Sequence, residues 1–411
     1  MRILFLSDNF PPEVNAPASR TFEHCREWVR AGHEVTVITC APNFPTGKVF
    51  AGYRNRLRSS ETVEGIKVIR VWSYIARNAG VIRRILDYLS FMMSAIVAGL
   101  FVQRPDIIVA TSPQFFTACA GRVLGTLRRR PWVFELRDLW PDSIAAVGAM
   151  RESLGLRLFR KLELHLYRHA RGIVPVTHSF KRYLVERGVR ADKIEVVTNG
   201  ADLTRFAPRP RDAQLEAQFG LAGKFVAGYV GTHGMAHGLE TLLDAATRLR
   251  DMPDGKRFHF ILLGEGARKR ELQQLAEERR LDNVLFLDLV SKDEVARYWS
   301  LLDVSIIHLR ATPLFSSVIP SKMFECMAMG IPILHGVQGE SADIVEKEGA
   351  GLVFEPGNSE ALVSVLRRVA DDRELYAGLQ ARALAAAPRY DRKHLASDML
   401  HVLEGWTDGR A

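Results

Sequence analysis

Residues Pro313–Leu334 read PLFSSVIPSKMFECMAMGIPIL. The pattern predicts a loop as far as Pro320, a short helix from Ser321 to Met329, a stop at Gly330 and a strand from Ile331. Ser321 is a suitable N-cap, and Gly330 suits the position after the helix because glycine takes positive φ readily. Such a helix presents its amino end, with free N–H groups and the positive end of its dipole, outside a strand edge. Lys322 falls in the first turn, where a cation opposes the dipole and a bound anion would relieve the conflict. Glu325 lies about one turn further on. Free amides beside a lysine suit a diphosphate, and a nearby carboxylate suits paired ribose hydroxyls. A capped surface helix, with Lys322 and Glu325 as an i, i+3 salt bridge, fits the same residues.

Around this stretch the second half repeats a strand–turn–helix pattern. Phe225–Val230 (FVAGYV) is a strand, followed by Gly231-Thr232-His233-Gly234-Met235-Ala236-His237-Gly238 and a helix from Leu239. A glycine-rich turn of this kind lets backbone amides approach an anion closely. His233 and His237 are read either as ligand contacts or as plain loop histidines. His259–Leu263 runs into Gly264-Glu265-Gly266, and Asn283–Leu287, Val304–His308 and Gly351–Phe354 are further strands. Tyr390–Leu403 reads as a last amphipathic helix.

The first half has the same grammar. Ile3–Ser7 is a strand, then comes the loop DNFPPEVNAPASR, a helix from about Ser19 to Ala31 and a second strand at Glu34–Thr39. Such a unit favours a parallel sheet covered on both faces. Lys67–Val71, Asp106–Ala110, Trp132–Leu136, Gly172–Thr177 and Ile194–Val197 are further strands, with a helix opening at Ser179. Arg137-Asp138-Leu139-Trp140-Pro141-Asp142 follows the Trp132–Leu136 strand, at the carboxyl end where α/β folds place their chemistry. Arg137 and Asp138 are read either as sugar contacts or as a local ion pair capping a loop. Ala207–Gln218 reads as a linker.

A chain of 411 residues with 47% hydrophobic and 25% charged residues has material for two domains with sizeable cores. The formal charge of +9 suits nucleic acid, an anionic membrane surface or phosphorylated substrates, and no zinc-finger, RNP or helix-turn-helix signature favours the first. The four cysteines are scattered, as expected in a reducing cytosol without disulfides or a thiolate metal site. Met1-Arg2 leads straight into a strand, so no signal peptide is expected. The apolar run Tyr88–Val102 is too short to span a membrane; it reads as a core helix or one with a face on a membrane surface, preceded by Arg83 and Arg84. No D-x-D, G-x-G-x-x-G, G-x-S-x-G or GxxxxGK[ST] occurs, which counts against metal-bound donor sites, dinucleotide oxidoreductases, α/β-hydrolases and P-loop NTPases. His165 and His169, one helical turn apart, read as a solvated face.

The opening stretch resembles the donor-site segment of retaining glycosyltransferases of family 4. Their pattern is a glutamate eight positions before a second one that opens "EAMA-G-P-V". The second is Glu325 in FECMAMGIPIL, and the first falls on Ser317. The form Pro320-Ser321-Lys322 followed by Glu325 resembles a branch that adds amino-deoxy sugars such as N-acetylfucosamine to bacterial surface polysaccharides. Asn199-Gly200-Ala201-Asp202 with Phe206 resembles the family's passage between domains, and LLGEGARKREL its loop against the nucleotide base. In the first loop, Asn15, Ala16, Pro17, Ala18 and Ser19 stand where the family carries glycines, and Arg137-Asp138 where it often has His-Asp. At the Gly231–Gly238 turn the family carries an Arg and a Lys; here these are Thr232 and His237, leaving Lys322, the amides and His233 or His237 to replace them.

The resemblance implies an α/β chain of the GT-B fold: two doubly wound Rossmann-like domains facing a central cleft, with the last helix crossing back to the first domain. The boundaries implied are 1–200 for the acceptor domain, 201–388 for the donor domain and 389–411 for the return helix. The implied activity is retaining transfer of a sugar, an N-acetylated amino- or deoxy-sugar on UDP, to a saccharide or lipid-diphosphate-linked saccharide. The setting is O-antigen or capsule synthesis, in the cytoplasm or peripherally on the inner membrane, without metal, cofactor or nucleic acid. Arg137, Asp138 and Lys322 are the catalytic candidates. Gly231, Thr232, His233, Gly234, His237, Gly264, Glu265, Gly266, Ser317, Pro320, Ser321, Lys322 and Glu325 are the donor-site candidates, and Asn15, Ser19 and Arg20 the first-loop candidates. A GT-B nucleotide-sugar epimerase and a non-catalytic nucleotide-sugar binding protein are the alternatives.

Overall fold

The structure, a computed structural model, describes residues 1–44, 46–75, 81–139, 154–313 and 315–407. Trp140, Pro141 and Asp142 of the motif after Leu136, and Leu314 of the opening stretch, lie outside these residues. The chain forms two compact units, Met1–Asn199 together with the segment from Arg392, and Gly200–Asp391.

The first unit is built on a seven-stranded sheet among the described residues: β1 (Arg2–Leu6), β2 (Glu34–Cys40), β3 (Arg58–Val63), β4 (Ile66–Val71), β5 (Ile107–Thr111), β6 (Trp132–Leu136) and β7 (Gly172–Pro175). The order is β3-β4-β2-β1-β5-β6-β7, parallel except for β3, which pairs antiparallel with β4. β3 was not expected, because RSSETV is polar on both faces; it is an edge hairpin closed by Glu64 and Gly65, both at positive φ. Ile194–Val197, expected as a strand, instead runs beside β7 through isolated bonds from Glu195 N to Ile173 O and Val197 N to Pro175 O. The helix Ala16–Arg30 begins earlier than expected because Asn15 caps it and Pro17 occupies its first turn.

The helix Arg392–Thr407 belongs to this first unit. It lies on the Ala16–Arg30 helix, where Trp28 Nε1 donates to Ala396 O at 2.8 Å. Leu395, Met399 and Leu403 complete a core with Phe5, Phe10 and Trp28. Trp406 lies so close to Gly172 that a Cβ there would sit 2.4 Å from the indole.

The second unit carries a six-stranded parallel sheet among the described residues: β8 (Phe225–Val230), β9 (Phe258–Leu263), β10 (Val284–Leu287), β11 (Val304–His308), β12 (Ile333–Gly336) and β13 (Gly351–Val353). Its order is β10-β9-β8-β11-β12-β13. The expected linker is part of this unit. Ala213–Gln218 is a helix capped by Asp212, which also accepts from Arg297 Nε at 2.7 Å, and Leu215 is buried in the core.

Both sheets reverse their strand order beside their first strand, between β1 and β5 and between β8 and β11. Doubly wound sheets bind ligands outside the carboxyl ends of strands at such a switch.

Candidate functional site

In the second unit the turn after β8 meets the helix Lys322–Met329. Gly231, at φ +146°, leaves space that the Lys322 side chain fills: a Cβ there would lie 2.7 Å from Lys322 Nζ. The ammonium sits 3.8 Å from the centroid of the Tyr229 ring, a cation–π contact. It makes no ion pair or hydrogen bond with any described residue, and Glu325 acts on it only at a distance. The salt-bridge reading of Lys322 and Glu325 therefore fails. Burial brings the lysine down to about 8.

Ser321 does not cap this helix. Its backbone is already helical (φ −59°, ψ −28°), and its hydroxyl makes no capping bond. The first turn closes tightly instead, Met323 N donating to Pro320 O and Phe324 N to Ser321 O, both at 3.1 Å. The N–H groups of Ser321 and Lys322 consequently find no backbone acceptor among the described residues. Gly330 ends the helix at φ 68°, as its place in the sequence predicts. Glu325 follows half-buried on the same helix, and Ser317 lies in the single turn Phe315–Ser317.

The two turn histidines are neutral. His233 is fully buried, with neither ring nitrogen bonded, and burial followed by Lys269 lowers it to about 4. Burial and then Lys322 bring His237 to about 3. Neither imidazole is charged at neutral pH, and the cation beside the turn is Lys322. Thr232 is exposed, and its carbonyl accepts from the Tyr229 hydroxyl at 2.9 Å. Gly264 and Gly266 are required by close approach: a Cβ would lie 1.9 Å from Gly231 O and 2.3 Å from His233 O respectively. These contacts lock the loop after β9 onto the turn after β8. Glu265 pairs with Lys269 at 2.7 Å, and His233 N donates to its carbonyl at 2.8 Å. Gly234 completes the turn before the short helix Met235–His237.

In the first unit, Ser112 Oγ at the end of β5 accepts from both Arg137 N (2.7 Å) and Asp138 N (3.2 Å), fixing the start of the loop after β6. Arg137 makes no ion pair with Asp138 or any other described residue, and its Nε and Nη1 are buried without hydrogen-bond partners. Arg20 is a structural brace rather than a loop contact. It is buried, its Nε donates to Glu135 at 2.8 Å, and its Nη atoms reach Thr198 O at 2.6 Å and Val197 O at 3.0 Å. Ser19 is likewise turned inward, its hydroxyl donating to Asn15 O at 2.8 Å. Asn15 caps its helix and lines a cavity of about 300 Å³ with Asp8, Glu13, Phe44, Asp87 and Tyr88.

That cavity was not foreseen. Glu13 is committed to structure, accepting from Phe10 N, Asn43 N and Phe44 N at 3.3, 2.8 and 2.8 Å. Asp8 and Asp87 have no ion-pair partner among the described residues. Burial raises Asp8 to about 6 and, with the nearby Asp8 charge, Asp87 to about 7.

Residues 15–200 match the family of glycosyl transferase 4-like domains, and residues 224–372 match that of glycosyl transferases group 1. The putative colanic acid biosynthesis glycosyl transferase WcaI of Escherichia coli K12 is 28% identical over 384 residues, 90% of this chain and 92% of the relative. Sucrose-phosphate synthase from Thermosynechococcus elongatus superposes with a TM-score of 0.80 at 18% identity over 99% of each chain. The chain is a glycosyltransferase of the GT-B fold. Anabaena Alr3699/HepE in complex with UDP and glucose shares that fold, with a TM-score of 0.72 at 19% identity over 98% of this glycosyltransferase and 99% of that chain.

Sequence reasoning missed Tyr229 and His308. Tyr229 lies on the strand face shared with Ala227, a position that reads as ordinary core, yet its ring holds the ammonium. His308 braces the same turn: Nδ1 lies 2.7 Å from His237 O, and Nε2 accepts from Gly357 N at 2.9 Å. The only sequence signal for either was position, next to last and last in a parallel strand.

Proposed function

We propose that this glycosyltransferase moves a sugar from a nucleoside diphosphate, with UDP as the carrier, to a lipid-diphosphate-linked saccharide, with retention of anomeric configuration and without a metal ion. The observation that carries the reading is the Lys322 ammonium, half-buried and without an anion, beside Gly231 and the free N–H groups of Ser321 and Lys322. A diphosphate supplies the missing negative charge. In the reaction the bond from the sugar C1 to the leaving phosphate oxygen breaks, and the bond from C1 to the acceptor oxygen forms on the same face. The acceptor's proton passes to the leaving diphosphate. Lys322 and the amides stabilise the charge on that group as it departs, which is the term that most lowers such barriers. Glu325 takes the ribose hydroxyls, the Gly264–Gly266 loop packs the base, and Arg137 with Asp138 faces the substrates.

The relative in colanic acid biosynthesis supports a role in bacterial surface polysaccharide assembly, and the HepE complex supports UDP. No helix among the described residues is long and apolar enough to cross a membrane. The helix Val81–Leu100 buries Phe91, Ala95 and Ala98 while exposing Leu86, Met93 and Val97, near the exposed Arg83 and Arg84. An apolar stripe with arginines beside it suits peripheral contact with an anionic cytoplasmic leaflet. The test is calorimetric titration of UDP, GDP, ADP and dTDP, without metal, into the wild type and Glu325→Ala. UDP is expected to bind selectively and about tenfold more weakly to the variant, as for loss of a charged hydrogen bond. Unchanged affinity in a folded Glu325→Ala protein would sink the assignment.

A further inference from the structure

Three arginines meet around the carboxyl end of β6 and the helix Ala16–Arg30, and they are not equally matched. Arg20 pairs with Glu135 at 2.8 Å, and Arg392 pairs with Glu23. His24 lies among them, buried against Trp28 with both ring nitrogens unbonded, and is held neutral by burial and by Arg20. Among the described residues Arg137 alone of the three makes no ion pair or side-chain hydrogen bond, although the Glu135 carboxylate lies near enough to act on it electrostatically. Its Nε and Nη1 are buried without acceptors, although buried arginine donors are ordinarily satisfied by a carboxylate, a carbonyl or a ligand. The side chain as a whole is only half-buried, and Nη2 is not among its buried, unpartnered atoms. Its backbone is pinned by Ser112 at the carboxyl end of β5, on the side of the sheet where ligands bind.

We propose that Arg137 is an oxyanion anchor that takes a phosphate or diphosphate group of a substrate rather than an uncharged sugar ring. The inference rests on the glycosyltransferase reading, which supplies two sources of that chemistry: the nucleoside diphosphate and a phosphate carried by the acceptor. A guanidinium suits either, because its planar donors match phosphate oxygens and it keeps its charge when partly buried. Burial, offset in part by Glu135, and then the neighbouring Arg20 and Arg392 charges bring Arg137 down to about 10, so it remains cationic at neutral pH, with buried donors that an oxyanion can take.

The test uses the full-length chain as wild type, Arg137→Gln and Arg137→Lys, with thermal melts as the check on folding. Calorimetry measures UDP and, separately in detergent, a short-chain prenyl diphosphate as the acceptor-phosphate probe. Binding of at least one probe is expected to weaken tenfold or more in Arg137→Gln and to recover in part in Arg137→Lys. The melting temperature of Arg137→Gln is expected to stay close to wild type, since Arg137 makes no ion pair or side-chain hydrogen bond among the described residues. Loss confined to UDP assigns the anchor to the donor, and loss confined to the prenyl diphosphate assigns it to the acceptor. Affinities within twofold of wild type for both probes overturn the proposal, as does a lowered melting temperature in both variants with binding retained. Failure of UDP to bind the wild type is a separate result, and it counts against the donor reading of Lys322.

Discussion

The turn after β1 and the turn after β8 hold the same place in their sheets, yet they are built from opposite chemistry. After β8 stand an ammonium without an anion, two neutral imidazoles and glycines that let backbone come close. After β1 stand three acidic side chains, Asp8, Glu13 and Asp87, against Arg84, with the Asn15 amide, Phe44 and Tyr88, around a cavity of about 300 Å³. The first suits an anion such as phosphate. The second, where acidic groups outnumber Arg84, suits groups that donate hydrogen bonds, such as sugar hydroxyls. A repeated fold copies a crevice; the charge that decides its occupant is placed residue by residue.

The largest test of this contrast removes the charge from one side. Lys322→Met is expected to weaken UDP about 100-fold, close to 2.7 kcal/mol, while Asp8→Asn stays within about twofold of wild type because it lies at the crevice of opposite sign. Calorimetry showing equal losses would erase the distinction. The wild-type affinity has a matching pH dependence. The Lys322 ammonium loses its proton at about 8, so affinity is full below that pH and falls as pH rises through it. Lys322→Arg should flatten that fall.

A smaller effect is expected from Gly231→Ala, whose new Cβ would lie 2.7 Å from Lys322 Nζ at a backbone φ of +146°. The lysine tip can shift aside, so the expected result is about tenfold weaker UDP with a melting temperature lowered by a few degrees. Retained affinity would show that the ammonium need not sit there. The smallest effect belongs to the acidic crevice. Asp87 ionises near 3.8 when unfolded and about 7 when folded, so its stabilising effect is complete below the first value and lost as pH rises through the second. Asn does not titrate. Between pH 4 and 7.5 the wild type should lose about 2 °C more melting temperature than Asp87→Asn, and parallel melts would clear Asp87 of the role.

The doubly wound architecture was legible because parallel strands buried on both faces read as unbroken apolar runs; Trp132–Leu136, Phe225–Val230 and Val304–His308 fall where the pattern puts them. β3 was illegible for the converse reason, since an edge strand has no face to bury. The Ala213–Gln218 helix hid behind Pro208 and Pro210, although Asp212 was a visible cap. Within the site, Lys322, Gly231 and Gly264 were readable because glycine and lysine mark close approach and charge. Arg20 and Ser19 were misread, since an arginine in a loop-to-helix segment looks like a ligand contact until its acceptors, 115 and more residues away, are known. The Asp8–Asp87 cavity was unreadable for the same reason: only the fold brings these two side chains together.

The helix Arg392–Thr407 carries one more consequence. Trp28 is separated by 368 residues from Ala396, whose carbonyl it donates to, and Phe5 and Phe10 share that late-made cover. One side of the first unit's core, that of Phe5, Phe10 and Trp28, therefore stays uncovered until the whole second unit has been synthesised, while the other, around Leu6, Ile38 and Phe134, draws on no residue of that helix. The second unit, contiguous from Gly200 to Asp391, is free to fold as it emerges. The first unit is thus completed only after the second has been made, across the 368 residues from Trp28 to Ala396.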